Sequence, residues 1–207
     1  SYILWAEETT FGTPATTNKH FGIDTNIEPG LKNNTKAHKG FKGSATSGRD
    51  TQAYTFGKAE LDLTVDFDLT DDSVFKLILG AYDSATKTYS GSDSLGSFTI
   101  TNSMDNVTTD RGDTYAGCMI DKATIKGAEN EPITCSLSVK YANFKYDSSL
   151  ATNTAISSIV PYTFAEAIFE MPSGTAISNI INDFTLTITN NVTMHYGTSR
   201  KAVAATV

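Results

Sequence analysis

An alternation of apolar and polar side chains over residues 59–69 constrains this chain more than any other feature. Ala59, Leu61, Leu63, Val65, Phe67 and Leu69 alternate there with Glu60, Asp62, Thr64, Asp66 and Asp68. Because successive side chains of a β-strand point to opposite faces, this pattern predicts a strand with one face in a core and the other in water. Four of the five polar residues are acidic, so we expect the water-facing side to be strongly negative.

Weaker alternations extend this prediction to the rest of the chain. They cover residues 133–141, 184–189 and 118–126, the last with a slip of phase near Lys122. Charged residues make up 19% of the sequence, and its Thr, Ser, Asn and Gly content favours strands and turns over helices. The sequence therefore predicts one mostly β domain over residues 1–207, a β-sandwich or curved antiparallel sheet with one short flanking helix.

The flanking helix is predicted directly after the alternating strand. Three apolar side chains share one side of it at helical spacing, namely Val74, Leu77 and Ile78. Thr70 or Asp71 can cap its beginning, and Gly80 is a natural C-terminal stop. Residues 81–97 are predicted to be a loop, and residues 162–171 a further strand of mixed character.

Residues 30–58 form a long polar segment without clear periodicity, and a short strand over residues 23–29 is predicted to end before it. The segment carries six cations and one carboxylate, whereas the whole chain has a net charge of -7. We predict a projecting loop or hairpin that is mobile in the free subunit and ordered against a neighbouring subunit. Its inter-subunit contacts are assigned to five basic residues, Lys32, Lys36, Lys39, Lys42 and Arg49. Residues 198–207 are predicted to be a free C-terminal arm.

The sequence lacks the patterns that enzymes and metal proteins use. His20, His38 and His195 are scattered, and no nucleophile, phosphate-binding or metal-ligand motif accompanies them. We therefore predict no catalytic residue, no metal site and no cofactor. Cys118 and Cys135 lie within apolar alternations and are predicted to be small buried side chains. No apolar run reaches the ~20 residues of a membrane span, so no membrane contact is expected.

Three stretches of the sequence carry a family resemblance. The first is residues 7–15, an acidic residue followed by a Thr-aromatic-Gly-Thr-Pro turn. The second is the strand and short helix of residues 61–80, and the third is residues 186–192 with their Asn-Asn pair, followed by Gly197 and Arg200. In this order they resemble the tail tube (major tail) proteins of long-tailed phages and related viruses.

The resemblance implies a β-sandwich with a helix at its flank, assembled into hexameric rings that stack head to tail into a tube. Each subunit would give strands to a continuous inner β-barrel through which viral DNA passes without specific binding. The resemblance also implies a location in the virion tail, assembly in the host cytoplasm and contacts with tail-end proteins. It does not determine whether a sheath surrounds the tube. The family brings no catalytic residue or cofactor.

Within such a tube, we expect the acidic face of the alternating strand to line the lumen. Its residues are Glu60, Asp62, Thr64, Asp66 and Asp68. An acidic wall repels phosphate, so a duplex can slide without sticking. A barrel of ~24 strands spaced ~4.8 Å apart and tilted by ~40° has a backbone diameter of roughly 45–50 Å, which leaves clearance for DNA. A position on the tube exterior, where acidity aids solubility, is the alternative.

Two other readings of the sequence remain open. The chain could be a different virion or injection-machine β protein, such as a tail terminator, a baseplate component or a secretion tube, and stacking of rings into long tubes discriminates between these. It could also be a monomeric β-sandwich module that binds carbohydrate. That function favours exposed aromatic residues on a concave face, whereas the single tryptophan, Trp5, lies in the N-terminal segment.

Overall fold

A computed structural model describes residues 2–39, 51–105, 110–147, 150–152, 160–168, 174, 181–199 and 201–207, with the backbone alone at residues 37–39, 51–54 and 56. The strands are β1 (Tyr2–Glu7), β2 (Lys19–His20), β3 (Gly22–Lys39), β4 (Thr51–Leu69), β5 (Gly80–Asp83), β6 (Thr88–Gly91), β7 (Phe98–Met104), β8 (Arg111–Ala128), β9 (Thr134–Lys140), β10 (Asn143–Asp147), β11 (Asp183–Thr189), β12 (Thr193–His195) and β13 (Ala204–Thr206). Helix α1 spans Val74–Leu79, and a 3-10 turn spans Phe164–Glu166. The predicted mostly β, antiparallel fold with one short helix is confirmed.

The long strand β8 belongs to two sheets. Its first half pairs with β7 and β10, and this first sheet has the order β2-β1-β7-β8-β10. Its second half builds the second sheet, in the order β11-β8-β9-β4-β3. Between the halves, Gly117 has a φ of +66°, and a Cβ there would lie 2.8 Å from the Cβ of Ala142. The predicted slip of phase is confirmed, because the β8–β9 register shifts between Ile120 and Lys122.

One hydrophobic core takes side chains from both sheets and from α1. The largest fully buried ones include Trp5, Phe98 and Ile100 from the first sheet and Val65, Leu137 and Val139 from the second. Helix α1 adds Val74, Leu77 and Ile78, the apolar side that the sequence predicts. Both thiols are buried, as predicted, and both are free. Burial raises the pKa of Cys118 well above its usual value and that of Cys135 to about 12.

Several local predictions are corrected by the structure. Strand β3 does not end at Pro29 but continues to Lys39. In the described residues β3 pairs with β4 alone, and an edge strand tolerates proline because the missing N–H faces away from the ladder. The predicted loop over residues 81–97 contains the hairpin of β5 and β6. In place of the predicted strand at 162–171, the described residues 162–168 contain an isolated bridge at Thr163 and then the 3-10 turn, and residues 169–171 lie outside the described residues.

The beginning of α1 also differs from the prediction. Its N-cap is Ser73 and makes no side-chain cap bond, while the Asp71 carboxylate accepts the Ser73 N–H at 2.7 Å. The predicted stop is confirmed, since Gly80 adopts the left-handed conformation with a φ of +94°. The C-terminal residues Ala204–Thr206 pair with β12, so this part of the predicted arm is paired rather than free. No helix in the described part of the chain has the length and apolar character that crossing a membrane requires.

Candidate functional site

The alternating strand forms the central part of β4, and its two faces lie in different surroundings. Leu63, Val65 and Phe67 are each 3% exposed or less, which confirms the predicted core side. Asp62 is exposed, and the side chains that alternate with the buried ones lie on the opposite face of the sheet. The β4–β9 register runs without a shift from Asp62 to Asp68. A slip by one residue would expose three core side chains, at a cost of ~1.5–3 kcal/mol each, so this register is strongly specified.

We define the polar face as the side of the second sheet that points away from the core. Its acidic residues are Glu28, Asp62, Asp66, Asp68 and Asp183, and its lysines are Lys122, Lys126 and Lys140. Between the acids of β4 and the lysines of β8 lies β9, which contributes Thr134, Ser136 and Ser138. The polar face is therefore acidic along β4 and mixed in charge across the sheet, with five carboxylates against three lysines.

Glu60 stands apart from the other acids of the alternation. It lies beyond the part of β4 that pairs with β9. Its carboxylate contacts Lys58 at 3.0 Å and Lys32 at 3.6 Å, and the hydrogen bond from Lys58 lowers its pKa. At the other end of the strand, burial and then the nearby Asp24 raise the pKa of Asp68. Among the described residues, Glu60 is thus paired with two lysines, whereas Asp62, Asp66 and Asp68 form no ion pair.

The outer parts of β3 and β4, residues 32–39 and 51–60, form a two-stranded segment that we name the ribbon. In the described residues these parts pair with each other and with no further strand. Lys36 is exposed and makes no ion pair in this part of the chain. Among the other predicted inter-subunit residues, Lys32 contacts Glu60, Lys39 is described by its backbone alone, and Lys42 and Arg49 lie outside the described residues.

The C-terminal segment crosses one end of the polar face. Asn190 leaves β11 with its N–H bonded to the Asp121 carbonyl. Lys140 then donates to both the Asp121 carboxylate, at 3.0 Å, and the Val192 carbonyl, at 2.7 Å. Further on, Lys58 lies over the Tyr196 ring, 5.3 Å from its centroid. The segment therefore runs from β8 across β9 to β4.

A carboxylate in the N-terminal motif connects three distant parts of the chain. The Glu8 Oε1 atom accepts from the Thr99 hydroxyl and the Gly117 N–H, both at 2.8 Å. Its Oε2 atom accepts from the Gly12 N–H at 2.9 Å and the Ser97 hydroxyl at 2.8 Å. Glu8 therefore joins the turn after β1 to β7 and to the bend of β8, a role that sequence reasoning missed because its partners are up to 109 positions away.

The family match covers the whole chain. A comparison with models of protein families matches residues 1–207 to the phage tail tube protein model. The chain belongs to the phage tail tube protein family. No curated protein sequence matches it. As a tail tube protein it is a structural component of the virion tail that assembles with other tail proteins, and the family is not one of enzymes.

The three stretches that resemble tail tube proteins meet in space. Glu7 of the first stretch forms an ion pair with Lys76 of the second, at 2.6 Å. Asn190 of the third donates its side-chain amide to the carbonyl of Ile78, again in the second, and to that of Ile120, both at 3.0 Å. The motifs of this tail tube protein therefore hold its strands and helix together around the core.

Two further observations on this tail tube protein concern its acidic side chains. In the described part of the chain, no group of three or more His, Cys, Asp or Glu side chains is placed to hold a metal ion. The Arg111-Gly112-Asp113 tripeptide lies within β8. There the Arg111 Nε donates to both carboxylate oxygens of Asp113, which is 3% exposed.

Proposed function

We propose that this tail tube protein forms hexameric rings that stack head to tail, and that viral DNA passes through a lumen lined by the polar face. One observation carries the proposal: a member of this family presents a continuous polar face opposite its core, on a sheet with two open edges. In the described residues β11 pairs with β8 alone and β3 with β4 alone. Each edge can accept a strand from a neighbouring subunit.

The second sheet has a suitable size for such a barrel. Six copies of four or five strands make a barrel of about 24 to 30 strands, which has a backbone diameter of roughly 48–60 Å at the usual spacing and a tilt of ~40°. At the β11 edge, Leu186 is 49% exposed although it is paired with the core residue Ile125. A neighbouring strand would cover this side chain, so its burial favours ring closure.

The charge of the polar face suits a conduit rather than a binding site for DNA. We propose that Glu60, Asp62, Thr64, Asp66 and Asp68 face the lumen, where the uncompensated carboxylates repel phosphate. The lysines of β8 moderate this repulsion, because they keep the net charge of the wall small. We further propose that subunits assemble in the host cytoplasm as one domain each, with residues 30–58 contacting a neighbour and tail-end proteins closing the tube.

Reversing the charge of the wall tests this placement. In a virus carrying Asp62→Lys and Asp66→Lys, we expect tubes of normal length and DNA ejection slowed by about tenfold or more, since twelve added lysines per ring attract phosphate. The matched control is Asp93→Lys with Asp105→Lys, which changes the net charge equally at exposed positions outside the sheet. Ejection by the doubly reversed virus at the parental rate would show that this face does not line the lumen.

Amide exchange tests the role of residues 30–58. The ribbon has no support from a further strand in the described residues, so its hydrogen bonds are expected to open readily in the free subunit. We expect exchange within residues 32–39 and 51–60 to slow by about tenfold or more on assembly, as measured by mass spectrometry of free protein and tubes. Strand β9, which is central in the second sheet, serves as the internal control. Equal protection of the ribbon in both states would contradict the inter-subunit role.

A further inference from the structure

Part of the polar face carries hydroxyl and lysine side chains in place of acids. In β8 these residues are Lys122, Thr124 and Lys126, which alternate with the buried Ala123 and Ile125. Threonines of β11 pair with all three of them, namely Thr189, Thr187 and Thr185. On the other side, β9 pairs them with Ser138, Ser136 and Thr134. We name these residues of β11, β8 and β9 the hydroxyl–lysine stripe.

Strand propensity does not account for the two lysines of this stripe. Lysine is depleted in β-strands, and where it does occur it often protects the open edge of a sheet from pairing with another chain. Strand β8 is not an edge here, because it pairs with β11 on one side and with β9 on the other. Lys122 and Lys126 therefore stand in the interior of the sheet, on the face opposite the core.

Both lysines keep their charge available to a partner. Lys122 and Lys126 are exposed, and neither forms an ion pair with a residue that the structure describes. Lys140, by contrast, is held by the Asp121 carboxylate and the Val192 carbonyl. Strand β9 separates β8 from the acids of β4 by two strand spacings, or ~10 Å, which is about one Debye length at ~0.1 M salt. The charges of the two strands are therefore largely screened from each other.

We infer that the hydroxyl–lysine stripe contacts the phosphates of the DNA that passes through the lumen. The inference rests on the proposed function and names the part of the wall that the duplex touches. Lysine ammonium groups and the hydroxyl groups of serine and threonine are common donors to phosphate oxygens in protein–DNA contacts. Because phosphate contacts carry no sequence information, every part of a genome can pass the stripe in the same way.

The spacing of the two lysines suits a moving duplex. Lys122 and Lys126 lie on the same face of β8, about 13 Å apart along the strand and about 10 Å apart along a tube axis from which the strand is tilted by ~40°. Duplex DNA carries one phosphate charge per ~1.7 Å of its axis, so about six charges lie along this length. Around a ring, the stripe would alternate with the acids of β3 and β4. Each subunit then offers a few weak attractive contacts between repulsive ones, which guide the duplex without holding it.

Replacing both lysines tests the stripe in the intact virus. Threonine favours strands and matches the neighbouring hydroxyl side chains, so we expect Lys122→Thr with Lys126→Thr to give tubes of normal length. At ~50 mM salt, DNA ejection should be about threefold faster than in the parent, because the retarding phosphate contacts are lost. The ratio of the two rates should approach one at ~500 mM salt, where counterions compete with the lysines of the parent. Fluorescence of a dye that binds released DNA measures both rates.

The matched control removes the same charge outside the second sheet. It combines Lys87→Asn with Lys145→Thr, because Lys87 has a φ of +53°, which asparagine tolerates, and Lys145 is exposed on β10. This virus should eject DNA at the parental rate at both salt concentrations. Ejection by the Lys122→Thr, Lys126→Thr virus at or below the parental rate in low salt would overturn the inference.

Cross-linking distinguishes a failure of this inference from a failure of the proposed function. Formaldehyde treatment of virions halted during ejection should join DNA to Lys122 and Lys126 and not to Lys87, as identified by mass spectrometry of nucleotide adducts. A second virus with Asp66→Lys places a reporter amine among the acids of β4. Adducts at position 66 with none at Lys122 or Lys126, or adducts of these two lysines with protein alone, would overturn the inference. Nucleotide adducts at no position of the polar face would overturn the proposed function as well.

Discussion

Replacing Glu8 with glutamine is expected to lower the free energy of unfolding by about 3 kcal/mol. The carboxylate accepts four hydrogen bonds, two of them from the backbone N–H groups of Gly12 and Gly117. A glutamine side chain has one oxygen and an amide that donates, so at least one of these N–H groups faces another donor. The lost charge assistance and the unsatisfied donor together account for the magnitude.

Thermal and urea denaturation measure the Glu8→Gln effect. For a chain of this length, ~3 kcal/mol corresponds to a fall in Tm of about 6–12 °C. Glu7→Gln is the matched control, because Glu7 is exposed and makes a single ion pair with Lys76. That variant should lose less than about 1 kcal/mol. If the two variants differ by less than about 0.5 kcal/mol, Glu8 does not hold these segments together.

Asn190→Asp should destabilise the protein by a similar amount, about 2–4 kcal/mol at pH 7. The side-chain amide of Asn190 donates to the carbonyl oxygens of Ile78 and Ile120. In the variant a carboxylate oxygen replaces the nitrogen and lies against two acceptors, which leaves both carbonyls without their donor. The charged form is unfavourable there, so folding raises the pKa of the introduced aspartate above its unfolded value of about 3.9.

The loss of stability expected for Asn190→Asp depends on pH in a defined direction. A group whose pKa is raised by folding favours the folded state when it is protonated, so the deficit of Asn190→Asp should shrink as the pH falls from 7 towards 4. The neighbouring Asn191→Asp is the control, because Asn191 is exposed and has a φ of +53°, which Asn and Asp both tolerate. If both variants lose the same free energy of unfolding, or if the loss in Asn190→Asp does not depend on pH, the role of the Asn190 amide is contradicted.

Glu8 and Asn190 are also expected to affect assembly, because each holds a strand that contributes to the open edges or to the polar face. Glu8 bonds to Gly117, next to the point where β8 passes from one sheet to the other. Asn190 holds the chain where it leaves β11 and begins to cross the polar face. We therefore expect partially destabilised variants at these positions to fail in assembly at temperatures where the isolated subunit is still folded, because the open edges and the polar face depend on both connections.

Sequence patterns of short range were sufficient for much of the fold. The two-residue period around Leu63 and Phe67 predicted the buried side of β4, and the spacing of Val74, Leu77 and Ile78 predicted the side of α1 that packs on the core. These predictions succeed because strand and helix geometry place nearby residues on a defined face. The pattern failed at Pro29, where a residue that usually interrupts strands is tolerated at the sheet edge.

What the sequence by itself determined is the β class, the position of the helix, the buried cysteines and the family resemblance. Only the tertiary structure decided which strands are neighbours. It showed that Asp62 lies opposite Lys140 and that the hydroxyl side chains of β9 separate Asp66 and Asp68 from β8. The polar face is therefore mixed in charge, where one strand alone predicted an acidic one. It also brought Glu8 to Gly117, 109 positions away in the chain. The physical reason is that strand order and loop packing depend on contacts between residues far apart in the chain, and these leave no periodic signal in the sequence.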